Sequence, residues 1–141
     1  MNILISACLL GQYCRYDGKT KVYPQVQALL GRDDIHLIPV CPEQAGGLAT
    51  PRPAAERQGS RVVTANGSEV TAQYQRGAEA ALYWARLFHC TKAILKEKSP
   101  SCGHGQIYDG TFSRTLTVGD GVTAALLRAE GLEIIGESDL P

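Results

Sequence analysis

Neither sign of charge prevails in this chain. Its 14 Lys and Arg residues balance 14 Asp and Glu, for a formal net charge of +0. Nothing global therefore draws it to nucleic acid or to an anionic membrane, and only a local basic strip would do so. No apolar run approaches the roughly 18 residues that a spanning helix needs. Met1-Asn2-Ile3-Leu4-Ile5 has neither the basic start nor the length of a signal peptide. The expectation is a cytoplasmic protein with no membrane partner and no obligate protein partner. There is no repeat, low-complexity tract or linker, so residues 1–141 read as one domain large enough for a core. No Cys-x2-Cys pair exists, which excludes a zinc knuckle closed by local spacing. The cysteine count of five is odd, and a reducing cytosol argues against disulfides. The three histidines add little to a zinc reading. His36 falls in a strand, His89 at a helix end, and only His104 lies near a cysteine loop.

What is present is an alternation of strands and helices. A strand at 2–7 precedes a loop at 8–21, and a short helix near 22–31 ends at Gly31, a suitable cap. A second strand runs from about 35 to 40. The stretch from Cys41 to Ala55 holds Pro42, Gly46, Gly47, Pro51 and Pro53 and reads as an irregular binding loop. Arg61-Val62-Val63-Thr64 reads as a short edge strand ended by the Asn66-Gly67 turn. The longest helix spans 71–89, with Ala78, Ala81, Leu82, Ala85 and Phe88 on its apolar face. A third strand at 92–96, a hairpin turning at Asp109-Gly110, a helix at about 120–130 and a strand at 132–135 complete the pattern. Such alternation implies a mainly parallel sheet covered on both faces, a three-layer, Rossmann-like α/β domain with right-handed crossovers.

Cys8, Cys41 and Cys102 each open or sit in a loop just past one of these strands. In a parallel sheet all three then project from the carboxyl edge, where open α/β sheets bind ligands. Three thiolates there form a soft-metal site, for iron–sulfur or zinc. Single cysteines are often just buried apolar residues, and Cys90, at the far end of the third strand, is read as one of these. Cys14 is a fourth ligand, a thiol behind the ligands or core filler. A closed zinc on Cys8, Cys14, Cys41 and Cys102 would leave several neighbouring polar residues without a task. Glu43, two residues past Cys41, is a solvated carboxylate or one positioned to move a proton. Gly46-Gly47 lets backbone approach a ligand or merely turns. Ser99 and Ser101 flank Pro100 before Cys102 and either form a turn or bind substrate and water. Arg15 and Arg52 clamp an anionic group or make surface ion pairs.

Taken together, Ser6-Ala7-Cys8-Leu9-Leu10-Gly11 with Cys14-Arg15-Tyr16-Asp17-Gly18, Cys41-Pro42-Glu43 with Gly46-Gly47-Leu48, Pro51-Arg52 and Lys98-Ser99-Pro100-Ser101-Cys102-Gly103 resemble a bacterial family long labelled a domain of unknown function. Its characterised members are thiouracil desulfidases. The resemblance runs from residue 3 to the last helix. It implies a 4Fe-4S cluster held by Cys8, Cys41 and Cys102, with one iron left open to a thiocarbonyl sulfur. It implies Glu43 and Ser99 in proton transfer and water or substrate placement; Ser101, Arg52, Gly46 and Gly47, read from their own chemistry, are the expected substrate contacts. The expected reaction is hydrolysis of a thiolated uracil, as free base or nucleotide, to uracil product and hydrosulfide. The alternatives are desulfuration of thiouridine in tRNA, or a non-enzymatic zinc or nucleotide-binding module.

Overall fold

The computed structural model describes residues 1–141. Strand β1 (Asn2–Ser6) runs into a 3-10 turn at Ala7–Leu10, followed by α1 (Pro24–Leu30) and β2 (His36–Val40). Next come α2 (Pro42–Ala45), β3 (Ala55–Gln58), β4 (Arg61–Thr64) and α3 (Thr71–Leu87). The chain ends with β5 (Lys92–Leu95), β6 (Gln106–Tyr108), β7 (Leu116–Val118), α4 (Val122–Ala129), β8 (Glu133–Gly136) and a 3-10 turn at Glu137–Asp139. Four strands form one wholly parallel sheet in the order β2-β1-β5-β8.

Alternation along β1 explains the layers, because successive side chains of a strand point to opposite faces. Ile3 and Ile5 pack with Tyr23, Val26 and Ile94 under α1. Leu4 packs with Ala93 and Leu95 of β5 and with Ala81, Leu82, Ala85, Ala124 and Leu127, the buried sides of α3 and α4. The result is the expected α/β class, a parallel sheet with helices on both faces. Pro39 lies on β2, which is an edge strand, so its missing N–H interrupts no inner ladder.

The strand order sets the site. From β1 the chain goes outward to β2, then crosses to β5 on the other side of β1 and continues to β8. Connections reverse direction between β1 and β5, and a crevice opens at the carboxyl ends of strands at such a switch point.

Several local expectations need correction. A regular element does form in the stretch 41–55: Pro42 occupies the first turn of α2, where its missing N–H is unneeded. Ala55 already belongs to β3. Residues 61–64 do not edge the main sheet; β4 pairs antiparallel with β3 in a separate hairpin. The Asn66-Gly67 turn holds, with Gly67 at φ +88°. The 106–118 hairpin does not turn on two residues. Asp109 instead accepts bonds from Thr111 N–H and Oγ1–H, organising a longer loop before β7. Phe88 lies past the end of α3 and is partly exposed rather than on its apolar face.

Candidate active site

Three loops meet at the switch point and enclose a cavity of about 540 Å³, within the range of small-molecule sites. Cys8 comes from the 3-10 turn after β1, Cys41 caps α2 directly after β2, and Cys102 ends the turn that follows β5. All three line the cavity, together with Cys14. The five cysteines are free. Ser99 explains how Cys102 is presented: its Oγ accepts the N–H groups of Ser101 and Cys102, both at 3.1 Å, closing the turn.

The thiols influence one another. Cys14 is in side-chain contact with Cys41 and Cys8; the first pulls its pKa down, but Cys8 and burial prevail and raise it to about 11. The Cys14 thiol and burial together hold Cys41 far above the ordinary range. Burial pushes Cys102 up to about 12, against the hydroxyls of Ser6 and Ser101, which favour its thiolate. These thiols hold their protons until something electropositive displaces them, as metal binding does.

In the same cavity, one carboxylate is fixed from two sides. Glu43 Oε2 accepts Arg52 Nε–H at 3.0 Å and the Tyr74 hydroxyl at 3.1 Å. The pair is enclosed, with side-chain exposures of 7% for Arg52 and 14% for Glu43. Arg52 also donates to the carbonyls of Ala49 and Cys14 and to Thr50 Oγ1. Every nitrogen of its guanidinium is thus engaged, and Arg52 orients Glu43 instead of standing free to clamp an anion. Burial, then the charge of Glu43, keeps Tyr74 protonated well above the usual phenol range. Arg15 pairs with Asp17 at 3.1 Å on the cavity wall.

Of the residues read from sequence, Cys8, Cys41, Cys102, Glu43, Ser99 and Arg52 share the cavity. Ser101, Gly46 and Gly47 do not line it. Ser101 is fully buried and bonds Thr123 Oγ1 at 2.8 Å, tying the Cys102 turn to the start of α4. A Cβ on Gly46 would stand 1.9 Å from the Gln73 carbonyl oxygen, so its backbone approaches α3 and not a ligand. Gly47, at φ +98°, turns the chain out of α2. Cys90 is buried at the other end of β5.

Sequence reading missed Tyr74 and Lys96. Tyr74 extends the apolar face of α3 one turn upstream of Ala78, and a lone aromatic there among Gln73, Gln75 and Arg76 was its signal. Lys96 lines the cavity and pairs with the buried Glu137 at 2.9 Å. That partner comes from the last turn of the chain, so no local pattern announces it.

Four thiols without a histidine are a soft donor set suited to iron–sulfur or zinc. No three Cys, His, Asp or Glu side chains are drawn close enough to enclose a single metal ion. Thiols that line a cavity of this size leave room for a cluster of several metal atoms, which one tetrahedral zinc would not fill.

Fold and site define a class: a parallel α/β domain that gathers cysteines and one positioned carboxylate at the switch point of its sheet. The model of the 2-thiouracil desulfurase family matches residues 3–139, and the chain belongs to that family. A protein of Bacillus subtilis (strain 168), described as uncharacterized protein YbbK, is 42% identical over 148 residues, covering 98% of this chain and 97% of that protein. The solved structure of a 4Fe-4S-dependent thiouracil desulfidase, TudS, superposes with a TM-score of 0.91 at 50% identity, covering 99% of this chain and 93% of its own.

Proposed function

We propose that the protein is a cytoplasmic 4Fe-4S-dependent desulfidase that hydrolyses a thiolated uracil to uracil and hydrosulfide. One observation carries this reading: Cys8, Cys41 and Cys102 converge with a buried, oriented Glu43 in a single cavity of a chain from the 2-thiouracil desulfurase family. Cys8, Cys41 and Cys102 would hold the cluster. When bound, it supplies an iron with an open coordination position, a soft Lewis acid matched to a thiocarbonyl sulfur.

The chain's own residues then have separable tasks. Arg52 and Tyr74 occupy Oε2 of Glu43, which fixes the carboxylate plane and leaves Oε1 to take a proton from water. As that proton moves, the water oxygen bonds to the carbon that bears sulfur. The carbon–sulfur bond then breaks as the new hydroxyl's proton passes to sulfur, which leaves a carbonyl on the ring and releases hydrosulfide, while the proton held by Glu43 returns to solvent. No electrons are gained or lost. Ser99 Oγ accepts two amide hydrogens, so its own hydroxyl hydrogen is free to donate to the pyrimidine or the water.

The test is anaerobic purification, iron and sulfide analysis, and measurement of hydrosulfide released from 2-thiouracil. A protein loaded with iron and sulfide that releases hydrosulfide supports the reading. A loaded protein that leaves 2-thiouracil, its nucleotide and thiolated tRNA untouched removes it. The same three substrates, compared by kcat/KM, decide which form is used.

A further inference from the structure

The backbone leaves its ordinary conformations at few places, and they are not scattered at random. The non-glycine residues with left-handed φ are His89, Lys98, Phe112 and Arg114. All but His89 line the cavity. Side chains held at positive φ are strained, and such strain persists only where surroundings over-determine it, which concentrates it at binding sites.

For Phe112 those surroundings can be named. Its amide donates to Glu56 Oε1 at 3.2 Å, and the Gly110 amide donates to the same oxygen at 3.0 Å. The Gly110 carbonyl accepts Gln58 Nε2–H at 2.9 Å. A Cβ at Gly110 would lie 2.7 Å from the Arg57 carbonyl oxygen, so β3 and the loop are pressed together. Three consecutive residues of β3, Glu56, Arg57 and Gln58, thus clamp the 109–115 loop and hold Phe112 at φ +57°. What the clamp presents is a phenyl ring at the cavity rim, 37% exposed and stacked on no other ring of the protein.

We propose that Phe112 is the stacking residue for the substrate's pyrimidine ring, with the β3 clamp setting the plane in which the ring is received. A flat heteroaromatic ring offers the π-face that an isolated phenyl lacks, and base–aromatic stacking tolerates different ring substituents. Phe112 therefore selects for a planar ring, while the thiols and Glu43 select for the thiocarbonyl on it. This inference rests on the function proposed above and assigns ring recognition to a loop outside the cysteine motifs.

The experiment uses anaerobic holoenzyme as wild type, Phe112→Leu, Phe112→Tyr and Phe112→Gly. It measures uracil affinity by calorimetry, kcat and KM for 2-thiouracil, and melting temperature. Phe112→Leu should weaken uracil binding and raise KM by about 5- to 150-fold, the span expected for one lost base stack, with kcat little changed. Phe112→Tyr should restore both. Phe112→Gly should bind as poorly as Phe112→Leu yet melt at or above the wild-type temperature, since glycine adopts φ +57° without strain. Opposite movements of stability and binding are what a merely structural ring does not produce. Unchanged uracil affinity in Phe112→Leu, failure of Phe112→Tyr to restore it, or a Phe112→Gly protein that melts far lower would each overturn the proposal. A wild type that binds uracil but releases no hydrosulfide would overturn the proposed function and leave the stacking site standing.

Discussion

Cys90 and Cys102 lie beyond opposite ends of the same strand, β5, and both are buried in the same apolar cluster. Their surroundings differ. Burial alone raises the Cys90 thiol. Cys102 is raised by burial too, but the hydroxyls of Ser6 and Ser101 favour its thiolate, and Cys41 and Glu43 are charge neighbours. The residue type is the same at the two ends and both thiols are buried; what sets the proposed ligand apart from the other cysteine is its company at the carboxyl edge. The amino edge closes on apolar side chains, while the carboxyl edge opens onto the cavity.

The largest expected effect tests that contrast directly. Cys8→Ser, Cys41→Ser and Cys102→Ser should each lose the cluster and the activity, whereas Cys90→Ser should keep both, read as iron and sulfide per chain and hydrosulfide release. Cluster loss in Cys90→Ser with retention in Cys8→Ser would erase the contrast. Next in size, Glu43→Gln should keep iron content but lower turnover about 10²–10⁴-fold, the usual cost of a lost general base. Unchanged turnover in fully loaded protein would take Glu43 out of the proton transfer.

Smaller effects sharpen how the carboxyl edge is held. Gly46→Ala should destabilise the protein by about 1–3 kcal/mol, because its Cβ would collide with the α3 backbone. Thermal unfolding measures this, and a melting temperature equal to wild type would mean that α2 yields freely. Ser99→Ala removes an oxygen that receives two amide hydrogens and should lower cluster retention more gently than Cys102→Ser. Cys14→Ser should have the mildest effect at this edge if Cys14 stands behind the ligands, and an effect equal to Cys8→Ser if it is one. Iron content distinguishes the two.

The sequence made the sheet legible because its strands are short apolar runs between loops, and the cysteines mark where those runs end. It made the three thiols legible for the same reason. It did not reveal α2, since proline is read as a breaker unless its place in a first turn is known. Tyr74 was hidden among the core positions of α3, because only the three-dimensional meeting of α2 and α3 turns its hydroxyl toward Glu43. Arg52 was visible as a cation but not as one with all its donors engaged. Ser101 and Gly46 stood beside true cavity residues in sequence, yet one turns toward Thr123 and the other toward the Gln73 backbone.

The crossing of α2 and α3 has a reciprocal form. Gly46, which caps the first, seats the Gln73 carbonyl of the second, and Gly77 of the second seats the Pro42 carbonyl of the first, where a Cβ would again stand 1.9 Å away. A helix of four residues has no stability of its own. Locked in this way to a partner of 17 residues, it is held by packing that its own length does not supply. Cys41 and Glu43, carried at its start, are thus anchored through the longest helix of the molecule although they are attached to one of its shortest elements.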